Sequence, residues 1–65
     1  MFIPKIDYKG YSYRGWEDKG DDVIKMFHDV VTPDGNTIGG PWSPYTVPTR
    51  EQFETFIDER MTLYG

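Results

Sequence analysis

The chain has no cysteine, one histidine and no apolar run long enough to span a bilayer or to serve as a secretory leader. Each absence removes a class of function. Without cysteine there is no disulfide staple, no thiolate metal site and no thiol nucleophile. A single histidine leaves no second imidazole for a metal pair, and no base–orienter set can be assembled around a nucleophile. Cations are scarce as well: seven Lys and Arg stand against eleven Asp and Glu, for a net charge of −4. A chain of that sign is poorly suited to general phosphate-backbone binding. The expectation is a non-enzymatic protein of the cytoplasm, with no catalytic residues, no metal, no cofactor and no membrane partner.

What the chain does have is aromatic mass. Its 65 residues include two tryptophans, five tyrosines and four phenylalanines. The length allows a single domain over residues 1–65. Domains of this size bury a smaller fraction of their surface than larger ones do, about 60%, and usually need a staple. Here the substitutes are large aromatic side chains and a partner surface.

The segment "KIDYKGYSYRGW" has strand chemistry, with Ile6 and Tyr8, then Tyr11 and Tyr13, alternating with polar residues. Lys9-Gly10 between them suits a tight hairpin, because glycine tolerates positive φ. Strands are expected at 5–8 and 11–17. The polar loop "EDKGDD" follows, then "VIKMFHDVV", the strongest strand. Its Ile24, Met26, His28 and Val30 face is the more consistently apolar. "TPDGN" is a turn in which Pro33 presets φ and Asp34-Gly35 complete the bend. "NTIGG" returns as a short strand.

A helix then begins at a capping box, Thr49 with Gln52 three residues on, after Pro48. Phe53, Phe56, Ile57 and Met61 form its apolar stripe. Four strands followed by one helix point to an α+β fold: an antiparallel three- to four-stranded β-meander with the C-terminal helix packed on one face.

Two apparent motifs dissolve on inspection. His28-Asp29 looks like a metal pair, but neighbours in a strand point to opposite faces. "EDKGDD" lacks the alternating oxygen ligands and terminal glutamate of a calcium loop, so it reads as a solvated acidic turn.

The stretch "GGPWSPYTVP", residues 39–48, is the best pointer to a working surface. Its three prolines stiffen an extended backbone, and Trp42 and Tyr45 stand one polyproline turn apart. They either seal the sheet under the helix or stand out as anchors in a protein interface. With Tyr11 and Tyr13 of the hairpin, they make up the candidate protein-binding residues. An alternative surface, Tyr8, Lys9, Tyr11, Tyr13 and Arg14, combines aromatic and basic groups as single-strand nucleic-acid platforms do. Net charge favours the protein-binding reading.

The segments "IDYKGYSY", "TPDGNTI" and "PTREQFETFIDERM" together resemble small proteins of tailed bacteriophages and their bacterial hosts. In these, an Ile-x-Tyr-x-Gly-Tyr run leads into a Pro-Asp-Gly hairpin and a terminal helix. The ten-residue "GGPWSPYTVP" connection is longer than the tight strand-to-helix link of that pattern. The resemblance implies a small accessory protein or inhibitor in the host cytoplasm that binds a host or viral protein, with a second copy of the chain as a further expected partner.

Overall fold

The computed structural model describes residues 3–20 and 22–64. Four strands, β1 (Ile6–Tyr8), β2 (Tyr11–Lys19), β3 (Ile24–Val31) and β4 (Thr37–Gly39), form one antiparallel sheet in the order β1-β2-β3-β4. The helix α1 (Arg50–Tyr64) follows and packs on one face. This is the α+β meander expected from the sequence. Asp21, part of the acidic loop, lies outside the described residues.

The turns obey local chemistry. Tyr8 pairs with Tyr11, so β1 and β2 are joined by two residues, Lys9 at φ 51° and Gly10 at φ 83°. Positive φ at both centres is the type I′ geometry that matches strand twist. The β3–β4 turn is longer. The Gly35 amide donates to the Thr32 carbonyl at 3.0 Å, and the Thr32 amide donates to Asn36 at 2.8 Å. Gly35, at φ 88°, supplies the left-handed residue that closes it. β2 runs two residues further than the sequence suggests, because Asp18 and Lys19 stay in register with Lys25 and Ile24.

One row of side chains crosses the whole sheet: Ile6 opposite Tyr13, Tyr13 opposite Val30, and Val30 opposite Ile38. Phe53 and Ile57 of α1 sit on this row, and both are fully buried. They are four residues apart, so they project from the same side of the helix. The capping box forms as read: the Gln52 amide donates to Thr49 Oγ1 at 3.1 Å, and the Thr49 amide donates to Gln52 Oε1 at 2.9 Å. Arg50 donates to the Asp7 carbonyl, and Asp58 accepts from both Tyr8 and Lys9, so the helix is tied to the first hairpin at two points.

Two expectations about the core need correction. Ile24 shares the parity of Met26, His28 and Val30 yet is exposed, because its position pairs with Lys19 at the far end of the ladder from the Tyr13–Val30 row that the helix covers. Met61 is exposed too, as are Leu63 and Tyr64, while Phe53 and Ile57 are the buried members of the stripe. Phe56 is half-buried at its margin.

Phe53 has no exposed surface and meets Tyr13 edge-on and Trp42 face-on, with centroids 6.2 Å away in both cases. Phe53→Ala is expected to cost about 3–5 kcal/mol, enough to unfold a domain of this size. Phe56→Ala should cost less, since that ring is only partly covered. Urea denaturation followed by far-ultraviolet dichroism checks both; equal midpoints for the Phe53 variant and the parent would place the stripe away from the core.

Candidate functional site

The proline-rich segment does not cross from β4 to α1 as a free loop. The Gly40 amide donates to the His28 carbonyl at 2.7 Å, continuing the β3–β4 ladder one step beyond Gly39. The next bond on that edge of β3 joins the Met26 amide to the Pro44 carbonyl at 2.8 Å. A regular ladder would place Trp42, not Pro44, opposite Met26. The segment therefore carries two extra residues, and Pro41, Trp42 and Ser43 arch out of the ladder over the helix-side face.

His28 holds that arch in place. Its Nε2 lies 2.7 Å from the Ser43 carbonyl oxygen and its Nδ1 lies 2.6 Å from the Tyr13 hydroxyl. A carbonyl can only accept, so Nε2 carries the hydrogen. Nδ1 then accepts from the Tyr13 hydroxyl. Burial pushes the Tyr13 phenol above its ordinary value, which keeps it a hydrogen donor. The pair is buried and satisfied at both ends. His28 is thus a core residue that ties the sheet to the proline segment, while Asp29 points to the opposite face and accepts from Trp16 Nε1 at 3.0 Å.

Two glycines make room for this arrangement. A Cβ at Gly15, which pairs with His28, would collide with the Tyr13 hydroxyl and ring. A Cβ at Gly40 would collide with the six-membered ring of Trp42. Trp42 can fold back only because residue 40 has no side chain. It then stacks on Phe53 and meets Phe56, Tyr13 and His28 edge-on, with centroids 5.3–6.2 Å apart.

The outer flank of Trp42 borders a groove of about 500 Å³ between the arch and the helix. Pro41 and Trp42 form one wall, and Phe56 with Thr49, Gln52 and Thr55 the other. Glu51 and Glu59, on the 51–55–59 row of the helix, give the groove an acidic rim. Among the described residues, no cluster of three or more His, Asp or Glu could hold a metal ion. Among the same residues no helix is long and apolar enough to cross a membrane.

The residues singled out from the sequence separate in space. Tyr45 is exposed, at 58%, on the loop just beyond the arch. Trp42 is half-buried against the core and offers only its flank to the groove. Tyr11 is partly buried and packs against the core cluster. Tyr13 is a correction: at 4% exposure it lies in the core and offers no surface to a protein or a nucleic acid. The basic–aromatic platform is a second correction, since its members do not share a surface. Tyr8 and Lys9 both bond to Asp58, at 3.0 and 2.9 Å, which offsets the lysine charge. Arg14 follows Tyr13 directly in an extended strand and points to the other side of the sheet.

Glu51, Phe56 and Glu59 escaped the sequence reading as site residues. Helical spacing places Phe56 in the stripe and Glu51 and Glu59 beside it, but only the folded arch gives them an opposite wall. Compared with known proteins, the chain matches no family model, no curated relative and no solved structure.

Two outcomes follow. Gly40→Ala should expel Trp42 from its stack on Phe53 and red-shift its emission in a Trp16→Phe background, with the groove lost; an unshifted spectrum would show that Trp42 does not rest over Gly40. The second concerns pH. The hydrogen bond from Lys9 holds the Asp58 carboxyl below its usual 3.8, and that from Thr32 does the same for Asp34. The same Asp58 bond raises Lys9 above 10.5. A lowered carboxylate stabilises the fold in full above its ordinary value and loses that contribution as pH falls through the lowered one; a raised lysine loses its share as pH climbs through the raised one. The gap in melting temperature between the parent and Asp58→Asn should therefore be widest between pH 3.8 and 10.5. It should narrow on either side and shrink in high salt, because the pair is exposed. A gap that is constant from pH 2 to 7, an interval that spans the ordinary titration range of a free carboxyl, would contradict the Lys9–Asp58 tie.

Proposed function

We propose that the chain is a small non-enzymatic accessory protein that works by binding another protein through the groove between the proline arch and α1. The observation that carries this reading is the groove's composition: an aromatic residue in each wall, Trp42 and Phe56, with a rim of Glu51 and Glu59. An indole flank beside carboxylates suits a Lys or Arg side chain, whose stem packs on the apolar lining and whose charge meets the acids. The occupant is therefore a basic, extended segment of a host or viral protein. The net charge of −4 favours the approach of such a segment. The stiff proline arch loses little freedom on docking. Tyr45 stands next to the groove as an exposed aromatic contact for the flanks of the bound segment.

A titration tests this. The Trp16→Phe chain, whose emission comes from Trp42 alone, is mixed with a short peptide of alternating lysine and proline and, separately, with its glutamate counterpart. The basic peptide should give a saturable change in Trp42 emission and the acidic one none. Glu51→Gln with Glu59→Gln should weaken binding roughly threefold to tenfold, the range expected for exposed charge pairs of up to about 1 kcal/mol. Indifference to peptide charge, or no response to either peptide, would contradict the proposal.

A further inference from the structure

Among the described residues no element covers the other face of the sheet: α1, the arch and the core row all lie on the opposite side. At its centre Trp16 pairs with Phe27, and the two rings stack with centroids 4.4 Å apart and planes 16° from parallel. Both remain exposed, at 46% and 43%. Above this pair Arg14 stands opposite Asp29; below it Asp18 stands opposite Lys25. Along β2 the face therefore reads Arg, Trp, Asp, and along β3 it reads Asp, Phe, Lys. Charge alternates around the four corners of an aromatic centre. Arg14, Lys25 and Asp18 make no ion pair or hydrogen bond among the described residues, so three of the corners are free.

This pattern has a symmetry property. When the face is laid on its own copy by a two-fold axis along the strands, Arg14 meets Asp29 of the copy and Asp18 meets Lys25. A two-fold axis across the strands sets Arg14 on Asp18 and Asp29 on Lys25. Both aligned arrangements join opposite charges around stacked aromatic rings, whereas a right-angled crossing sets like charges together. Aligned packing is also the usual way in which two twisted sheets meet. Bringing the same patch together on both partners is the defining feature of a two-fold dimer, and an apolar centre with a charged rim is the usual anatomy of an interface.

We propose that this face binds a second copy of the chain, sheet to sheet, in a weak aligned dimer. The eight register pairs of β2 and β3, with their flanks, span roughly 500 Å² at ordinary strand spacings, at the lower limit of specific interfaces. The dimer is therefore reversible, and it leaves the helix-side groove of each copy open.

Sedimentation equilibrium over a concentration series at low salt tests this. The parent chain should pass from one to two chain masses as concentration rises. Arg14→Asp with Lys25→Asp makes all four corners anionic, and Asp18→Lys with Asp29→Lys makes them all cationic. Each double variant should stay monomeric, and an equal mixture of the two should regain the two-chain mass. Dichroism checks that both fold; Phe27→Ser, at an exposed position, is the fallback and should also abolish the dimer. A parent that stays monomeric up to millimolar concentration would overturn the proposal. A dimer that survives in both charge-inverted variants would as well, since it would lie on a strand edge or the helix. So would binding of oligothymidylate that dissociates the parent dimer and is lost with Arg14 and Lys25, which would assign the face to nucleic acid.

Discussion

The helix-side architecture depends on the hold of His28 on the proline segment. A sheet of four strands, two of them three residues long, leaves most of β3's outer edge without a partner strand. The Gly40 amide on the His28 carbonyl and the Pro44 carbonyl on the Met26 amide take up part of that edge, and the Ser43 carbonyl on His28 Nε2 ties the segment to the helix-side face. Each such bond contributes only about 0.5–1.5 kcal/mol net, but leaving a buried imidazole nitrogen unpaired costs about 1–3 kcal/mol. The larger number decides the matter: His28 is buried, so the segment must come to it. Once it does, Trp42 is carried over Phe53, and one histidine, one tyrosine and two glycines set the position of the groove's wall.

A single helix can cover only one side of a sheet, and this sets up a division between the two faces. The helix side takes Ile6, Tyr13, Val30, Phe53 and Ile57 for the core, and the arch completes its cover. The opposite side keeps Trp16 and Phe27 in the open, stacked on each other. Chains of this size have little stability to spare. An uncovered aromatic pair ringed by alternating charge is a cost to an isolated copy and a gain to a paired one. The groove and the bare face look in opposite directions, so occupation of one leaves the other accessible.

Much of this was legible in the sequence because it is local. The Lys9-Gly10 and Pro33-Asp34-Gly35 turns, the Thr49–Gln52 cap and the Met26, His28, Val30 face all follow from neighbouring residues, and all are present. The errors come from relations that span the chain. Tyr8, Lys9, Tyr11, Tyr13 and Arg14 read as one surface by proximity, although parity along β2 already separates Arg14 from the two tyrosines. Ile24 and Met61 have core periodicity, but whether they are covered depends on where the helix ends relative to the sheet. That Trp42 could fold back to seal the sheet was legible, but the shape of the arch was not. Its shape comes from two backbone bonds between β3 and residues 40–44, and from a missing Cβ at Gly40 that matters only once Trp42 lies over it.

The most direct test of this account is the proton environment of Trp42 by nuclear magnetic resonance. Stacking on Phe53, with Phe56 and Tyr13 edge-on, predicts cross-relaxation from the indole ring to all three aromatic rings, and ring-current shifts of its protons away from free tryptophan. An indole with free-tryptophan shifts and no cross-relaxation to those rings would mean that the arch does not close over the core, and the tie from His28 to the proline segment would fall with it.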